Sequence, residues 1–107
     1  MNERKVRLSR SALPTYKLRF HELALAEWNK LDKTIREPFL KKLAERLLQP
    51  RVPSAALSGV PDCYKIKIQS LGYRLVYRVD EDVIYVTVVA VGKRERSAVY
   101  QRAIKRL

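Results

Sequence analysis

The sequence predicts a single α+β domain with four strands, a hairpin of two helices and a short C-terminal helix. Three features predict this fold class. Residues 62–78 alternate between apolar and polar side chains, as strands with one buried face do. Residues 83–91 are almost continuously apolar and β-branched, which indicates a central strand covered on both faces. Residues 21–49 instead space their apolar side chains at helical intervals.

The N-terminal segment is predicted to precede the folded part of the chain. Residues 1–14 carry four lysines and arginines, lack regular periodicity and end at Pro14. We interpret them as a mobile basic arm in front of a single domain at 15–107. The alternation of apolar and basic side chains over residues 16–20 then predicts a first strand.

Two amphipathic helices are predicted between the first strand and residue 50. His21 begins the first helix, and Trp28 lies in its apolar stripe as a core anchor. Thr34 and Glu37 have the spacing of a capping box, so Thr34 is the predicted N-cap of the second helix, which ends near Pro50. The short link between the helices favours an antiparallel hairpin on one face of the sheet.

The alternating segment predicts a β-hairpin that turns at Leu71-Gly72, because Gly72 can adopt the positive φ that tight hairpin turns require. A two-residue loop at this point pairs Lys65 with Arg78. In that register four cations share one face of the sheet, namely Lys65, Lys67, Arg74 and Arg78. A three-residue loop would instead send the lysines and the arginines to opposite faces.

The crowding of like charges on one sheet face has two interpretations. Like charges placed opposite each other destabilise a sheet, so the face is expected to meet an anion. A solvated face whose lysines protect the sheet from edge-to-edge aggregation has the same pattern. The hairpin sequence alone leaves both interpretations open.

The net charge of the chain favours an anionic partner. Lysine and arginine number 23 against 11 acidic residues, which gives a formal net charge of +12 and a pI near 10.2. Such a basic domain usually meets nucleic acid or an acidic protein. The sequence has neither an apolar run long enough to cross a bilayer nor a signal-peptide core, so we expect no membrane partner and a cytoplasmic location. The single cysteine agrees with a reducing compartment.

The composition narrows the chemistry that the chain can perform. With one histidine, one cysteine and three scattered glycines, the sequence predicts no metal site, no cofactor, no nucleophile–histidine pair and no glycine-rich phosphate loop. Lysine, arginine and tyrosine side chains can nevertheless cleave RNA by 2′-hydroxyl attack, because they supply a base, an acid and stabilising cations. Lys67 or Lys65 is then the candidate base, and Tyr100 stacks on a nucleobase or moves a proton. A non-catalytic binding surface would contain the same residues.

Three segments resemble the RelE family of bacterial toxin–antitoxin pairs. They are Leu57-x-Gly59, the run from Pro61 to Tyr77, and Val91-Gly-Lys-Arg-Glu-Arg-Ser-x-Val-Tyr100. The resemblance extends from about Tyr16 to Leu107. It implies a RelE-like fold with a mostly antiparallel four-stranded sheet, an N-terminal helical hairpin and a C-terminal helix. It also implies a metal-independent endoribonuclease that cuts messenger RNA in the ribosomal A site, and an antitoxin that wraps the domain in a hetero-oligomer.

The resemblance also implies roles for individual residues. Five positions match the family's functional positions: Lys65, Lys67, Arg74, Arg94 and Tyr100. Lys67 corresponds to the base and Arg94 to the acid, whereas Lys65 and Arg74 correspond to cations that stabilise the phosphate charge. Tyr100 corresponds to a residue that stacks on or orients the target nucleotide. We expect four further cations to bind RNA, namely Arg51, Arg78, Lys93 and Arg96.

One position departs from the family pattern, and two other functions remain open. Ser58 stands where the family carries an arginine associated with ribosomal RNA contact, so we expect Arg51 or the basic arm to compensate. ParE-type proteins share the fold but act on DNA gyrase and are not nucleases. A basic RNA-binding module without activity is the second alternative.

Overall fold

The computed structural model describes residues 15–107, so the predicted basic arm at 1–14 lies outside the described residues. The elements follow in the order β1 (Lys17–Phe20), α1 (Glu22–Asn29), α2 (Lys33–Leu48), β2 (Cys63–Ile68), β3 (Tyr73–Asp80), β4 (Tyr85–Lys93) and α3 (Ala98–Lys105). The α+β class with four strands and three helices is therefore confirmed. None of the helices within 15–107 combines the length and the apolar character needed to cross a bilayer.

The four strands form one mixed sheet in the order β1-β4-β3-β2. β4 pairs antiparallel with β3, and β3 pairs antiparallel with β2, but β1 runs parallel to β4. The prediction of a mostly antiparallel sheet is therefore wrong in this respect. β1 and β4 can align in parallel because the intervening helices and strands provide the long connection that a parallel pair needs.

The two helices before β2 begin with different caps. His21 is the N-cap of α1, and its Nδ1 accepts a hydrogen bond from the backbone N–H of Leu23 at 3.1 Å. Asp32, not Thr34, is the N-cap of α2. The carbonyl of Asp32 already accepts hydrogen bonds from the N–H groups of Ile35 and Arg36, so the predicted cap at Thr34 lies inside the first turn.

The sheet carries a hydrophobic cluster on each face. The larger cluster joins α1 and α2 to the sheet and includes Ala24, Trp28, Phe39, Leu43, Ile66, Leu75 and Tyr77. The smaller cluster lies under α3 and includes Leu57, Cys63, Val76, Val89, Ala90, Val99 and Ala103. Burial on both faces explains why the β4 segment is apolar at nearly every position, as the sequence predicted.

The β2–β3 hairpin is longer at its turn than the sequence predicted. Lys65 pairs with Val76, and Lys67 pairs with Arg74. A short 3₁₀ turn at Gln69–Leu71 precedes Gly72, which adopts a φ of +70°. The predicted two-residue loop is wrong because only Gly72 of the turn takes a positive φ, whereas primed hairpin turns of type I′ need two such residues. The error in register is two residues, so the prediction that all four cations share one face survives it.

Tyr77 fixes α2 and the loop behind it to the sheet. Its ring is fully buried, and its hydroxyl donates to the carbonyl of Pro50 at 2.7 Å and accepts from Nη1 of Arg46 at 2.8 Å. Burial raises the pKa of this hydroxyl, although Arg46 opposes the effect. The hydroxyl therefore stays protonated and keeps its donor role.

We expect Tyr77→Phe to lower the free energy of unfolding by about 1–3 kcal/mol, because it leaves a buried carbonyl without its donor. Chemical denaturation measures this change. Tyr85→Phe is the matched control, since its hydroxyl makes no hydrogen bond within residues 15–107 and its ring keeps the Arg19 guanidinium at 4.1 Å. Equal stability losses in the two variants would contradict the role assigned to the Tyr77 hydroxyl.

Candidate functional site

Two cations lie directly opposite each other on the face of the sheet that carries α3. Lys67 of β2 pairs with Arg74 of β3, and Lys65 lies two residues from Lys67 on the same face. Arg74 and Lys65 are half-buried, whereas Lys67 is exposed. Among the ion pairs formed within residues 15–107, none includes any of these three side chains. The arrangement favours binding of an anion, because like charges opposite each other destabilise a sheet.

The C-terminal helix adds an aromatic side chain to this group. Nη1 of Arg74 donates a hydrogen bond to the hydroxyl of Tyr100 at 3.1 Å. The guanidinium carbon of Arg74 also lies 5.3 Å from the centroid of the Tyr100 ring, within the range of a cation–π contact. α3 therefore places Tyr100 beside a cation that lies 26 residues earlier in the chain.

The segment after β4 lies at the same end of the sheet. The backbone N–H of Arg94 donates to the carbonyl of Gly72 at 2.7 Å, and Lys93 pairs with Tyr73. This contact fixes the start of the segment to the turn of the β2–β3 hairpin. Lys93, Arg94 and Arg96 are exposed, and Arg96 adopts a φ of +55°. We use the name cationic site for the five predicted catalytic residues: Lys65, Lys67, Arg74, Arg94 and Tyr100.

Arg78 shares the face of the cationic site but is bound to a carboxylate. Its Nε donates to Asp80 at 2.8 Å, and Asp80 also accepts from the Thr87 hydroxyl at 2.7 Å. Burial by itself raises the pKa of Asp80, but the hydrogen bonds from Arg78 and Thr87 and the charge of Arg19 hold it below its usual value. The charge of Arg78 is therefore largely compensated, and its predicted RNA-binding role stays a prediction.

Arg51 lies at the other end of the hairpin from the cationic site. It contacts Glu81 at 2.7 Å, Asp62 at 3.0 Å and the hydroxyl of Tyr64 at 3.2 Å. The hydrogen bond to Glu81, with those to Tyr64 and Asp62, raises the pKa of Arg51 further above its usual value. The structure thus ties Arg51 to two carboxylates and does not bring it together with Lys67 and Arg74.

A groove beside α2 lies apart from the cationic site. A groove of about 450 Å³ follows the end of α2 and is lined by Lys42, Glu45, Arg46, Gln49, Arg51, Val52 and Pro53. Within the described part of the chain, no group of three or more histidine, cysteine, aspartate or glutamate side chains is placed to hold a metal ion.

Sequence reasoning missed an ion cluster that joins α3 to α1. Glu27 of α1 binds Arg102 of α3 at 3.0 Å and Arg106, the C-cap of that helix, at 2.8 Å. Burial by itself raises the pKa of Glu27, but hydrogen bonds from Arg106 and the Val91 N–H and the charges of both arginines hold it below its usual value. The i, i+4 spacing of Arg102 and Arg106 places both on one side of the helix, but nothing in the sequence assigns them a partner.

We expect the protein to lose stability in acid because of Asp80 and Glu27. Both carboxyls have lower pKa values in the folded chain than their ordinary values of 3.8 and 4.5, so the unfolded chain binds more protons as the pH falls. Their contribution is complete above about pH 5 and disappears below the folded pKa values. Denaturation at a series of pH values should show that Asp80→Asn is less stable than the parent at neutral pH, and that the two converge in acid. A constant difference down to about pH 2 would contradict this account.

Comparison with known proteins identifies the class of protein to which this chain belongs. The family described as "ParE toxin of type II toxin-antitoxin system, parDE" matches residues 18–98. The mRNA interferase toxin RelE of Escherichia coli (strain K12) is 55% identical over 92 residues, which cover 86% of this chain and 97% of that protein. These matches define a toxin of the type II toxin–antitoxin class.

Solved structures agree with the sequence matches. A double mutant of E. coli toxin RelE in the free state superposes with a TM-score of 0.81 and 53% identity, covering 87% of this chain and 98% of that chain. The toxin of the intact E. coli RelBE toxin–antitoxin complex has a TM-score of 0.73 and 54% identity, covering 76% and 99%. The chain belongs to the RelE/ParE superfamily, and within it to the RelE toxins.

Proposed function

We propose that the protein is the toxin of a type II toxin–antitoxin pair and an endoribonuclease that cleaves messenger RNA in the ribosomal A site, so that translation stops. One observation carries the proposal: Lys67 lies directly opposite Arg74, and Arg74 contacts Tyr100. No carboxylate within residues 15–107 neutralises this group. A relative that is 55% identical is named an mRNA interferase, which supports the same activity.

The proposed reaction uses side chains and no metal ion. Lys67, in its neutral form, takes the proton of a 2′-hydroxyl while that oxygen attacks the neighbouring phosphorus. The bond from phosphorus to the 5′ oxygen breaks, and Arg94 gives that oxygen a proton. The products are a 2′,3′-cyclic phosphate and a free 5′-hydroxyl.

Two further groups are proposed to stabilise and orient the reacting nucleotides. Lys65 and Arg74 stabilise the charge that builds on the phosphate oxygens, as preorganised cations do in a partly dehydrated site. The Tyr100 ring stacks on a nucleobase and thereby orients the target nucleotide. Lys93 and Arg96 are proposed to contact RNA phosphates nearby, and the exposure of both side chains supports this role.

The proposed partners follow from the same family membership. RelE of E. coli forms a complex with an antitoxin, and we infer that this chain has a cognate antitoxin of its own. A net charge of +12 suits an acidic or amphipathic antitoxin segment as well as ribosomal RNA. The small ribosomal subunit and its messenger RNA are the proposed targets, and the cytoplasm is the proposed location.

Primer extension on messenger RNA that is being translated tests the proposal. We expect discrete cuts in the A-site codon when the protein is added, and intact message when ribosomes are omitted. Uncut message on ribosomes that co-sediment with the protein would indicate a binding module without activity.

A second candidate function is inhibition of DNA gyrase. The family description that matches residues 18–98 names ParE, and ParE-type toxins share this fold. A gyrase supercoiling assay with the purified protein separates the two candidates. Inhibited supercoiling together with intact message would favour the ParE-type function over RNA cleavage.

A further inference from the structure

Part of one strand edge in the sheet lacks a strand partner. β1 pairs with β4 only over Tyr85–Val88, although β4 continues to Lys93. After Val88, side chains form hydrogen bonds with backbone groups of β4 that face this edge. Glu27 accepts from the N–H of Val91 at 3.1 Å, Arg102 donates to the Val91 carbonyl at 3.3 Å, and Arg106 donates to the Val89 carbonyl at 2.9 Å. The three side chains therefore take the place of a neighbouring strand.

The same three side chains also bind one another, and we call them the edge clamp: Glu27, Arg102 and Arg106. Arg106 holds the carboxylate with two hydrogen bonds, at 3.0 Å to Oε1 and 2.8 Å to Oε2. Arg102 adds a third, from Nε to Oε2 at 3.0 Å. The Arg106 and Glu27 side chains are only 12% and 22% exposed, so water weakens their contact less than it weakens a surface ion pair.

The edge clamp is a main attachment of α3 to the rest of the domain. α3 has eight residues, of which only Val99 and Ala103 are buried. A helix of this length is not stable by itself, so its position depends on tertiary contacts. Arg102 lies against Gly92, where an added Cβ would come within 2.6 Å of Nη2. The absence of a side chain at Gly92 thus gives Arg102 room to reach Glu27.

We propose that Glu27 is a positioning residue for the cleavage reaction: through the edge clamp it holds α3 so that Tyr100 stays in contact with Arg74. This inference rests on the proposed function. Glu27 itself touches no residue of the cationic site among its described contacts. Its effect passes through Arg102 and Arg106 to the helix, whose first half carries Tyr100 to the Arg74 guanidinium.

Glu27→Gln tests the proposal with Glu22→Gln as the matched control, because Glu22 is an exposed carboxylate on the same helix. We expect single-turnover cleavage on programmed ribosomes to slow by roughly 10- to 100-fold for Glu27→Gln, since small misplacement of catalytic groups has effects of this size. Affinity for the ribosome and the rate of the control should stay within about twofold of the parent. Unchanged cleavage by a folded Glu27→Gln variant would overturn the proposal.

A double-mutant comparison separates positioning from a general loss of structure. If Glu27 acts through Tyr100, Glu27→Gln should slow the Tyr100→Ala variant, which lacks the stacking ring, by less than about twofold, whereas independent effects multiply. The same fold-loss in both backgrounds would overturn the proposal. Gly92→Ala displaces Arg102 without removing a charge, so it should slow cleavage to a similar extent as Glu27→Gln. If Glu27→Gln fails to fold, Gly92→Ala replaces it in this comparison.

Amide hydrogen exchange makes the test independent of catalysis. We expect Glu27→Gln to speed exchange in α3 at least tenfold while β2 and β3 keep their protection. Unaltered exchange in α3 would overturn the proposal even if cleavage fell. If the parent protein itself cuts no messenger RNA, the proposed function is wrong. The hydrogen-exchange measurement then still decides whether Glu27 holds α3 in place.

Discussion

Lys67→Ala is expected to slow cleavage of ribosome-bound messenger RNA by roughly 10²- to 10⁴-fold, the range that loss of a general base produces. Lys67 is exposed and contacts no carboxylate within residues 15–107, so its removal should leave the fold intact. Affinity for the ribosome should change little, because many other cations contribute to binding. Single-turnover cleavage and ribosome co-sedimentation measure the two effects separately.

Lys41→Ala is the matched control for this prediction. Lys41 is an exposed lysine on α2, outside the cationic site, so the variant loses the same charge without losing a proposed catalytic group. We expect its cleavage rate to stay within about threefold of the parent, as a general charge effect predicts. If Lys67→Ala lost cleavage and ribosome binding in equal proportion, Lys67 would belong to an electrostatic binding surface and not to a catalytic site.

Arg74→Ala should slow messenger RNA cleavage far more than Arg78→Ala does, although both arginines lie on the same face of β3. Arg74 has no carboxylate partner within the described residues, and it orients Tyr100 through a hydrogen bond of 3.1 Å. Its loss is expected to slow cleavage by roughly 10²- to 10³-fold, as removal of a preorganised charge-stabilising group does. Single-turnover rates on programmed ribosomes measure the difference.

The Arg78 variant provides the comparison within the same strand. Arg78 binds Asp80, so removing it takes away a compensated charge, and cleavage should fall less than about tenfold. Its main effect should be on stability, because Asp80 loses a partner in a partly buried position. If Arg74→Ala and Arg78→Ala slowed cleavage equally, the cleavage rate would depend on the total charge of this face and not on the position of Arg74.

The sequence predicted much of the fold because local patterns report burial. The alternation in β2 and β3 and the apolar run of β4 each identified a strand, and Trp28 was correctly assigned to the core. The parallel pairing of β1 with β4 was not predictable in this way, since alternation carries no information on strand direction. The hairpin register depended on turn geometry, which a single glycine did not determine.

The cationic site and the contacts around it were predictable only where the residues lie close together in the sequence. Lys65, Lys67 and Arg74 lie within one hairpin. Side chains alternate with a period of two residues along a strand, so an error of two residues in the register leaves these three cations on the same face. Glu27 lies 75 and 79 residues from Arg102 and Arg106, and no local pattern connects them. Likewise, Glu81 becomes a neighbour of Arg51 only through the fold, since the two lie 30 residues apart. Asp80, by contrast, lies two residues from Arg78 in the same strand, so the alternation of β3 places that pair on one face.

Cleavage of a programmed messenger RNA that carries a single 2′-deoxy nucleotide tests the central claim most directly. The substitution is placed on the nucleotide whose 2′-hydroxyl is proposed to attack, and the rest of the ribosomal complex is unchanged. The cationic site as described predicts that the protein binds these ribosomes as before and leaves that bond uncut. Cutting at the 2′-deoxy position at the parent rate would contradict it, because the attacking oxygen would then come from elsewhere.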